Sequence, residues 1–285
     1  MKPAAFAYHA PKSVEEAVAM LAEYAAEDGR ILAGGQSLVP TMAFRLAKPA
    51  HLIDINGIAA LEKLNVENGS LSIGACVRHA TFHRPAVAGP LGALLTKVVR
   101  HIAHYPIRLR GTFCGSLAHA DPASEWCLVA ATLGADITTI STRGTRNIAS
   151  GDFFAGIMTT ALAEDELLAR AHLPLLSSDT RFGFCEFSRR AGDYAIAMTL
   201  ATLRIEGGII VDPRVGVGGA EATPRRIPEA EAALAGRPPE PAVLQAAADA
   251  AADAIEPLED IQADAAYRRD LVRAMTRRAL AQACA

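Results

Sequence analysis

No Cys-x-x-Cys pair occurs in the chain. Its five cysteines, Cys76, Cys114, Cys127, Cys185 and Cys284, are odd in number and irregularly spaced. That excludes a zinc knuckle or an iron–sulfur loop and fits reduced thiols in a reducing compartment. Tight histidine groups are nearly as scarce: only His79/His83 and His101/His104. The first has i, i+4 spacing, but no carboxylate lies between its members and Pro85 follows, so no metal site is assigned. The Gly-x-Gly-x-x-Gly spacing is missing throughout, as is Gly-Lys-Ser/Thr, which excludes the dinucleotide fingerprint and the P-loop. Gly216-Val217-Gly218-Gly219 comes nearest, without a helix directly after it. Long apolar runs are absent as well. The stretch Trp126 to Leu133 stops at Gly134 and Asp136, far short of a bilayer, and Pro3 breaks up an N-terminus with no run of signal-peptide length. A cytoplasmic protein without a membrane span is expected. Finally, no charge sign dominates: 28 basic against 31 acidic residues leave a net charge of −3, so nucleic acid and anionic membrane are not expected partners.

What is present is an ordinary globular composition, 51% hydrophobic and 21% charged over 285 residues, enough for two domains. The opening reads as a β/α alternation. Ser13 and Glu16 have capping-box spacing, and Val14, Ala17, Val18, Leu21 and Ala22 recur at helical period up to Gly29. Residues 30–33 form a short strand, Pro40 opens a helix over 41–46, and 51–55 form a second strand. Asn68-Gly69 predicts a hairpin, a helix runs from 91 to about 103, and Asp121 with Pro122 predicts a helix start. A second hairpin surrounds Gly144, and a strand over 166–173 ends at Pro174. After a linker at 175–180 the pattern becomes an antiparallel meander, then Ala-rich helices. The last helix, about 264–283, carries Arg268, Arg269, Arg273, Arg277 and Arg278, which read as a solvated face.

Two glycine-centred loops carry the chemistry. Ala33-Gly34-Gly35-Gln36-Ser37 leaves a strand and enters a helix. Glycine allows φ > 0 and close approach of an anion, Gln36 and Ser37 add polar groups, and the helix start adds backbone N–H groups. A Gly-Gly pair there is also a plain tight turn. Thr112-Phe113-Cys114-Gly115-Ser116 repeats the arrangement with two hydroxyls, and Glu125 beyond it could accept from a sugar hydroxyl. Two such loops suggest a diphosphate held from both sides.

The strings AGGQSLVPTM, KPAHLIDIN, IRLRGTFCGSLAHADPASE, FSRRAGDYA and VGVGGAEATPRRI closely resemble the FAD-binding medium subunit of the molybdenum hydroxylases, the group that includes xanthine dehydrogenase and carbon monoxide dehydrogenase. The likeness spans nearly the whole chain in order. It implies an α+β fold: a two-lobed FAD-binding domain of the vanillyl-alcohol-oxidase (PCMH) type over residues 1–175 (lobes about 1–57 and 58–175). A small α+β C-terminal domain with an antiparallel sheet would then cover 176–285. It implies FAD contacts at Leu32, Ala33, Gly34, Gly35, Gln36 and Ser37, and at Thr112, Phe113, Cys114, Gly115 and Ser116. Ile102 matches an apolar residue beside the cofactor, Glu125 the acidic position, and Leu168 a backbone contact. Asp193 and Tyr194 match a Gly-Asp-aromatic element, with Tyr194 either a ring contact or a core tyrosine.

Two departures stand out. Cys114 occupies a position where many members have glycine, as a small filler or a thiol near the flavin. Cys185-Glu186 stand where many members carry a lysine. The resemblance implies an FAD-dependent oxidoreductase subunit with no catalytic residue and no metal of its own. A small partner subunit would carry two [2Fe-2S] clusters and a large one molybdopterin cytosine dinucleotide, in a dimer of heterotrimers, and electrons would leave to an external acceptor. The rival readings are a self-sufficient flavin oxidase of the same fold and a flavin-free scaffold subunit.

Overall fold

The computed structural model describes residues 2–285. The first lobe is β1 (Ala7–His9), α1 (Val14–Tyr24), β2 (Gly29–Leu32), α2 (Leu38–Ala43) and β3 (His51–Asp54), with β3 parallel to and between β1 and β2. Ser13 caps α1 as its spacing predicts: its Oγ accepts from Glu16 N–H at 3.1 Å, while Glu16 reaches back to Lys12 N–H at 2.7 Å. α2 starts three residues earlier than expected because Val39 N–H already bonds to Gly35 O at 3.0 Å. Pro40 fits inside that first turn, where no N–H has an intrahelical partner to lose.

The second lobe begins with the hairpin β4 (Leu64–Glu67) and β5 (Ser70–Gly74). Its turn has Asn68 and Gly69 at φ 48° and 75°, the left-handed pair that this dipeptide favours. Four helices follow: α3 (Pro90–Val98), α4 (Tyr105–Arg108), α5 (Phe113–His119) and α6 (Glu125–Leu133). Next come β6 (Asp136–Ser141), β7 (Gly144–Ala149), α7 (Ser150–Phe153), the small pair β8 (Phe154–Gly156) and β9 (Thr159–Thr160), and β10 (Leu167–Pro174). The sheet order is β4-β5-β10-β6-β7, antiparallel at each step. The expected start of α6 at Asp121–Pro122 is corrected: Asp121 Oδ1 accepts from Ala123 N–H at 2.9 Å, closing a turn, and the helix begins after Ser124.

Beyond residues 175–180 the chain forms β11 (Arg181–Phe187), β12 (Ala197–Glu206), β13 (Ile209–Gly218) and β14 (Arg225–Arg226), antiparallel in that order. Helices α8 (Pro228–Leu234), α9 (Pro241–Ala254) and α10 (Ala265–Cys284) complete it, with α10 packed on β11 and β12. Buried α6 joins the two halves by packing on β12 and β13. This explains Gly216, where a Cβ would lie 1.9 Å from Thr132 Oγ1 of α6. The glycines of β13 let a strand approach a helix. The expected solvated arginine face of α10 is also corrected. Arg277 and Arg278 are exposed, but Arg268 is 3% exposed and donates to Ile196 O (2.8 Å), Gly219 O (2.7 Å) and Asp260 (2.6 Å). Two loop carbonyls left without partners by the fold draw that guanidinium inward.

Candidate cofactor-binding site

The two glycine loops touch. A Cβ on Gly34 would lie 2.4 Å from Arg110 O and 2.6 Å from Gly111 Cα, so no side chain fits there while the second loop stands where it does. Gly35 has φ +70°, which explains the second glycine of the pair. Gly34 is thus required first by the neighbouring loop, before any ligand. Among the described residues, the N–H groups of Gly34, Gly35, Gln36 and Ser37 find no partner within the chain, nor does the Ser37 hydroxyl. Unpaired backbone donors in a concave site call for a ligand or water. The helices behind the loops are only six and seven residues long, so these N–H groups matter more than any helix dipole.

In the second loop Thr112 caps α5, its Oγ1 accepting from Gly115 N–H at 3.0 Å. The Ser116 side chain makes no hydrogen bond among the described residues. Phe113 faces inward, fully buried against Phe82 and Trp126, with its N–H on Val77 O at 3.0 Å. It supports the loop and offers the ligand neither side chain nor amide. Cys114 borders the cleft, yet its side chain is buried with Sγ on Ile73 O at 3.3 Å, and burial raises its thiol far above the ordinary value. That geometry matches the small-filler reading and gives no thiolate.

Both loops line a cleft of about 680 Å³, of the size a cofactor needs. Leu32, Ala33, Gly34, Gly35, Gln36, Ser37, Thr112, Cys114, Gly115, Ser116 and Leu168 all border it. Residues not expected at a cofactor site join them, notably Lys48, His79 and His119. Burial, with Arg108 and Arg78 nearby, holds His79 down to about 3, so its imidazole is neutral. Trp126 Nε1–H donates to its Nδ1 at 2.9 Å, which leaves the ring proton on Nε2, beside Gly111. The pair His79/His83 holds no metal geometry, and among the described residues no three His, Cys, Asp or Glu side chains could hold a metal ion. Free backbone donors, room and close-packed glycines fit a diphosphate-bearing cofactor.

Ile102, Glu125, Asp193 and Tyr194 do not border this cleft. They lie around the seam between the halves. Ile102 is buried, with its carbonyl accepting from Arg108 Nη1 at 2.6 Å. Gly192 (φ +88°) packs against His104, a Cβ there meeting Cε1 at 2.6 Å, and so brings the exposed Asp193 and Tyr194 up to the seam. Tyr194 is 61% exposed, which rules out the core-tyrosine reading. Glu125 is buried at the first position of α6, and Glu186 of β11 has a side chain only 3% exposed. Glu186 Oε2 has no hydrogen-bond partner, and His101 Nδ1 stays 3.7 Å away. Burial holds both carboxyls above the usual range, with Asp121 adding to the rise of Glu125 and Glu125 adding to that of Glu186.

A fold of this kind with paired anion-facing loops is that of a cofactor-carrying protein. The family model described as "FAD binding domain in molybdopterin dehydrogenase" matches residues 4–176, and "CO dehydrogenase flavoprotein C-terminal domain" matches residues 182–283. The chain is 40% identical over 284 residues to the nicotine 6-hydroxylase medium subunit of Paenarthrobacter nicotinovorans, covering 99% of each. Its structure matches a chain of carbon monoxide dehydrogenase from Hydrogenophaga pseudoflava with a TM-score of 0.95 at 36% identity, covering 100% of this chain and 99% of that one. A chain of quinoline 2-oxidoreductase from Pseudomonas putida 86 matches with a TM-score of 0.92 at 37% identity, covering 99% and 98%. The chain belongs to the FAD-binding medium subunits of the molybdenum hydroxylases. It is an FAD-dependent oxidoreductase subunit, and among its described residues no helix is long and apolar enough to cross a membrane.

Proposed function

We infer that this chain carries FAD as the electron-transfer subunit of a heteromeric molybdenum hydroxylase in the cytoplasm. Electrons come from [2Fe-2S] clusters of a small partner subunit, after substrate is hydroxylated at a molybdopterin cytosine dinucleotide centre on a large one. They leave to an external acceptor, and the assembly is a dimer of heterotrimers. FAD, when bound, supplies the ability to take electrons singly and release them as a pair. The observation that carries the reading is the row of unpartnered amides from Gly34 to Ser37 over the cleft shared with Thr112–Ser116. The two loops bind the diphosphate, Ser37 and Ser116 add hydroxyls, and Leu168 borders the same cleft. Ile102, Glu125, Asp193 and Tyr194 form the far end of the site at the seam. Residues 1–175 make the FAD-binding domain and 176–285 the domain that closes it. Substrate is chosen on the large subunit, and the nicotine and quinoline relatives favour an N-heteroaromatic compound.

The test is reconstitution. The isolated chain with added FAD gives a bound-flavin spectrum and no hydroxylation, and activity returns only with molybdenum- and iron-containing partners. A chain that stays colourless with FAD sinks the reading. Bleaching of its flavin by a small substrate, without partners, replaces it with the self-sufficient oxidase.

A further inference from the structure

Two side chains outside the glycine loops tie those loops together. Asn56 follows β3, and its Nδ2 donates to Ala33 O at 2.7 Å, at the exit of β2. Its Oδ1 accepts from Arg78 Nη2 at 2.6 Å. The other arm of the Arg78 fork, Nη1, donates to Arg110 O, the same carbonyl that a Cβ on Gly34 would strike. One amide and one guanidinium therefore span from the carbonyl entering the first loop to the carbonyl entering the second. The bracket is anchored from behind. Asp54 Oδ1 accepts from Asn56 N–H at 2.9 Å, and Asp54 Oδ2 accepts from Tyr8 Oη at 2.6 Å. Burial alone would raise the Asp54 carboxyl, but bonds from Tyr8 and Asn56, with Arg78 nearby, outweigh it and hold the group below its ordinary value.

The consequence for the loops follows from peptide geometry. In a trans peptide the C=O and the next N–H point in opposite directions. Holding Ala33 O back on Asn56 turns the Gly34 N–H away from that bond. Likewise Gly111 O is held by His79 N–H at 2.9 Å, one residue past Arg78, and this turns the Thr112 N–H away. Both freed amides belong to residues that border the cleft.

We propose that Asn56 and Arg78 are the positioning residues of the cofactor site: their bracket sets the spacing of the two loops, and Asn56 aims the Gly34 amide at the FAD diphosphate. Neither residue borders the cleft, so they act through the backbone and not by touching the cofactor. The inference rests on the FAD reading above.

Binding of FAD to the apo-protein, followed by flavin fluorescence, tests it, with thermal melting of the same samples alongside. For Asn56→Ala and Arg78→Ala the Kd for FAD rises about tenfold each, the size of one lost hydrogen bond to a charged or buried partner. Because both belong to one bracket, the double variant falls no further than the worse single one. Arg78→Lys keeps the charge but not the fork, and it does not rescue binding. If an alanine variant fails to fold, Asn56→Asp keeps the size and the acceptor for Arg78 while losing the bond to Ala33 O, and it shows the same loss. Unchanged FAD affinity, with or without a lower melting temperature, overturns the proposal. So do losses that multiply, or full rescue by lysine, which would make Arg78 a charge effect. Failure of the wild type to bind FAD would instead strike the functional reading.

Discussion

Replacing Glu186 by glutamine removes a buried acid from the seam and should make the protein more stable in mild alkali. In the fold the Glu186 side chain is 3% exposed, its Oε2 lacks a partner, and it faces the carboxyl of Glu125, which has Asp121 and Arg108 nearby. His101 lies across at 3.7 Å, and burial and the charge of Lys97 lower that imidazole and disfavour its charged form. Glu186 therefore keeps its proton when folded and loses it when unfolded. For an acid whose folded value is raised, the favourable contribution is complete below the unfolded value of 4.5 and is lost as pH rises toward the folded one. Each pH unit in that window is worth about 1.4 kcal/mol. From about pH 6 to about pH 8 the wild type should lose up to about 3 kcal/mol relative to the glutamine variant, and about half that where water reaches the seam. In melting temperature this is roughly 3–8 °C for a chain of this size. Paired melts or urea titrations of E186Q and wild type at the two pH values measure it. The curves should diverge as pH rises, with the variant the more stable. Parallel curves, or a variant weaker at both values, would show instead that Glu186 is ionised and paired with a protonated His101, and would refute the reasoning.

Gly34→Ala should abolish FAD binding and lower stability by about 1–3 kcal/mol, since its Cβ would press on Arg110 O at 2.4 Å and force the loops apart. Flavin titration and melting report both effects, and an alanine variant with normal FAD affinity would contradict the loop contact. Arg268→Ala should cost about 2–4 kcal/mol in chemical denaturation, because two buried carbonyls lose their donor. A cost below about 0.5 kcal/mol would return Arg268 to the solvated face. A thiol-reactive dye should label Cys185 and Cys284 in the native protein and reach Cys76, Cys114 and Cys127 only after unfolding, as those three are buried and the other two only partly so. Rapid native labelling of Cys114 would show a thiol open to the cleft.

What could be read from the chain alone was whatever depends on near neighbours. Ser13 and Glu16 stand three apart, so their cap was legible; Asn68-Gly69 fixes its own turn, and the strands around it followed. The α+β class, the meander after residue 180 and both glycine loops were equally local. Five motifs in register then identified the family, because their order carries information that no single loop does.

What only tertiary structure decided involves groups distant in sequence. Arg268 turns inward because Ile196 and Gly219 present carbonyls that a helical wheel cannot contain. Phe113 leaves the cleft because Phe82 and Trp126 make room for it in the core. Asn56 and Arg78 look unremarkable until the fold brings Ala33 and Arg110 to either side of them. The sequence determined that an anion-binding loop occurs twice, since φ and side-chain size are properties of the residues themselves. That the two loops form one site was decided by packing, because Gly34 must meet Arg110 and Gly111, and only the assembled chain can supply that contact.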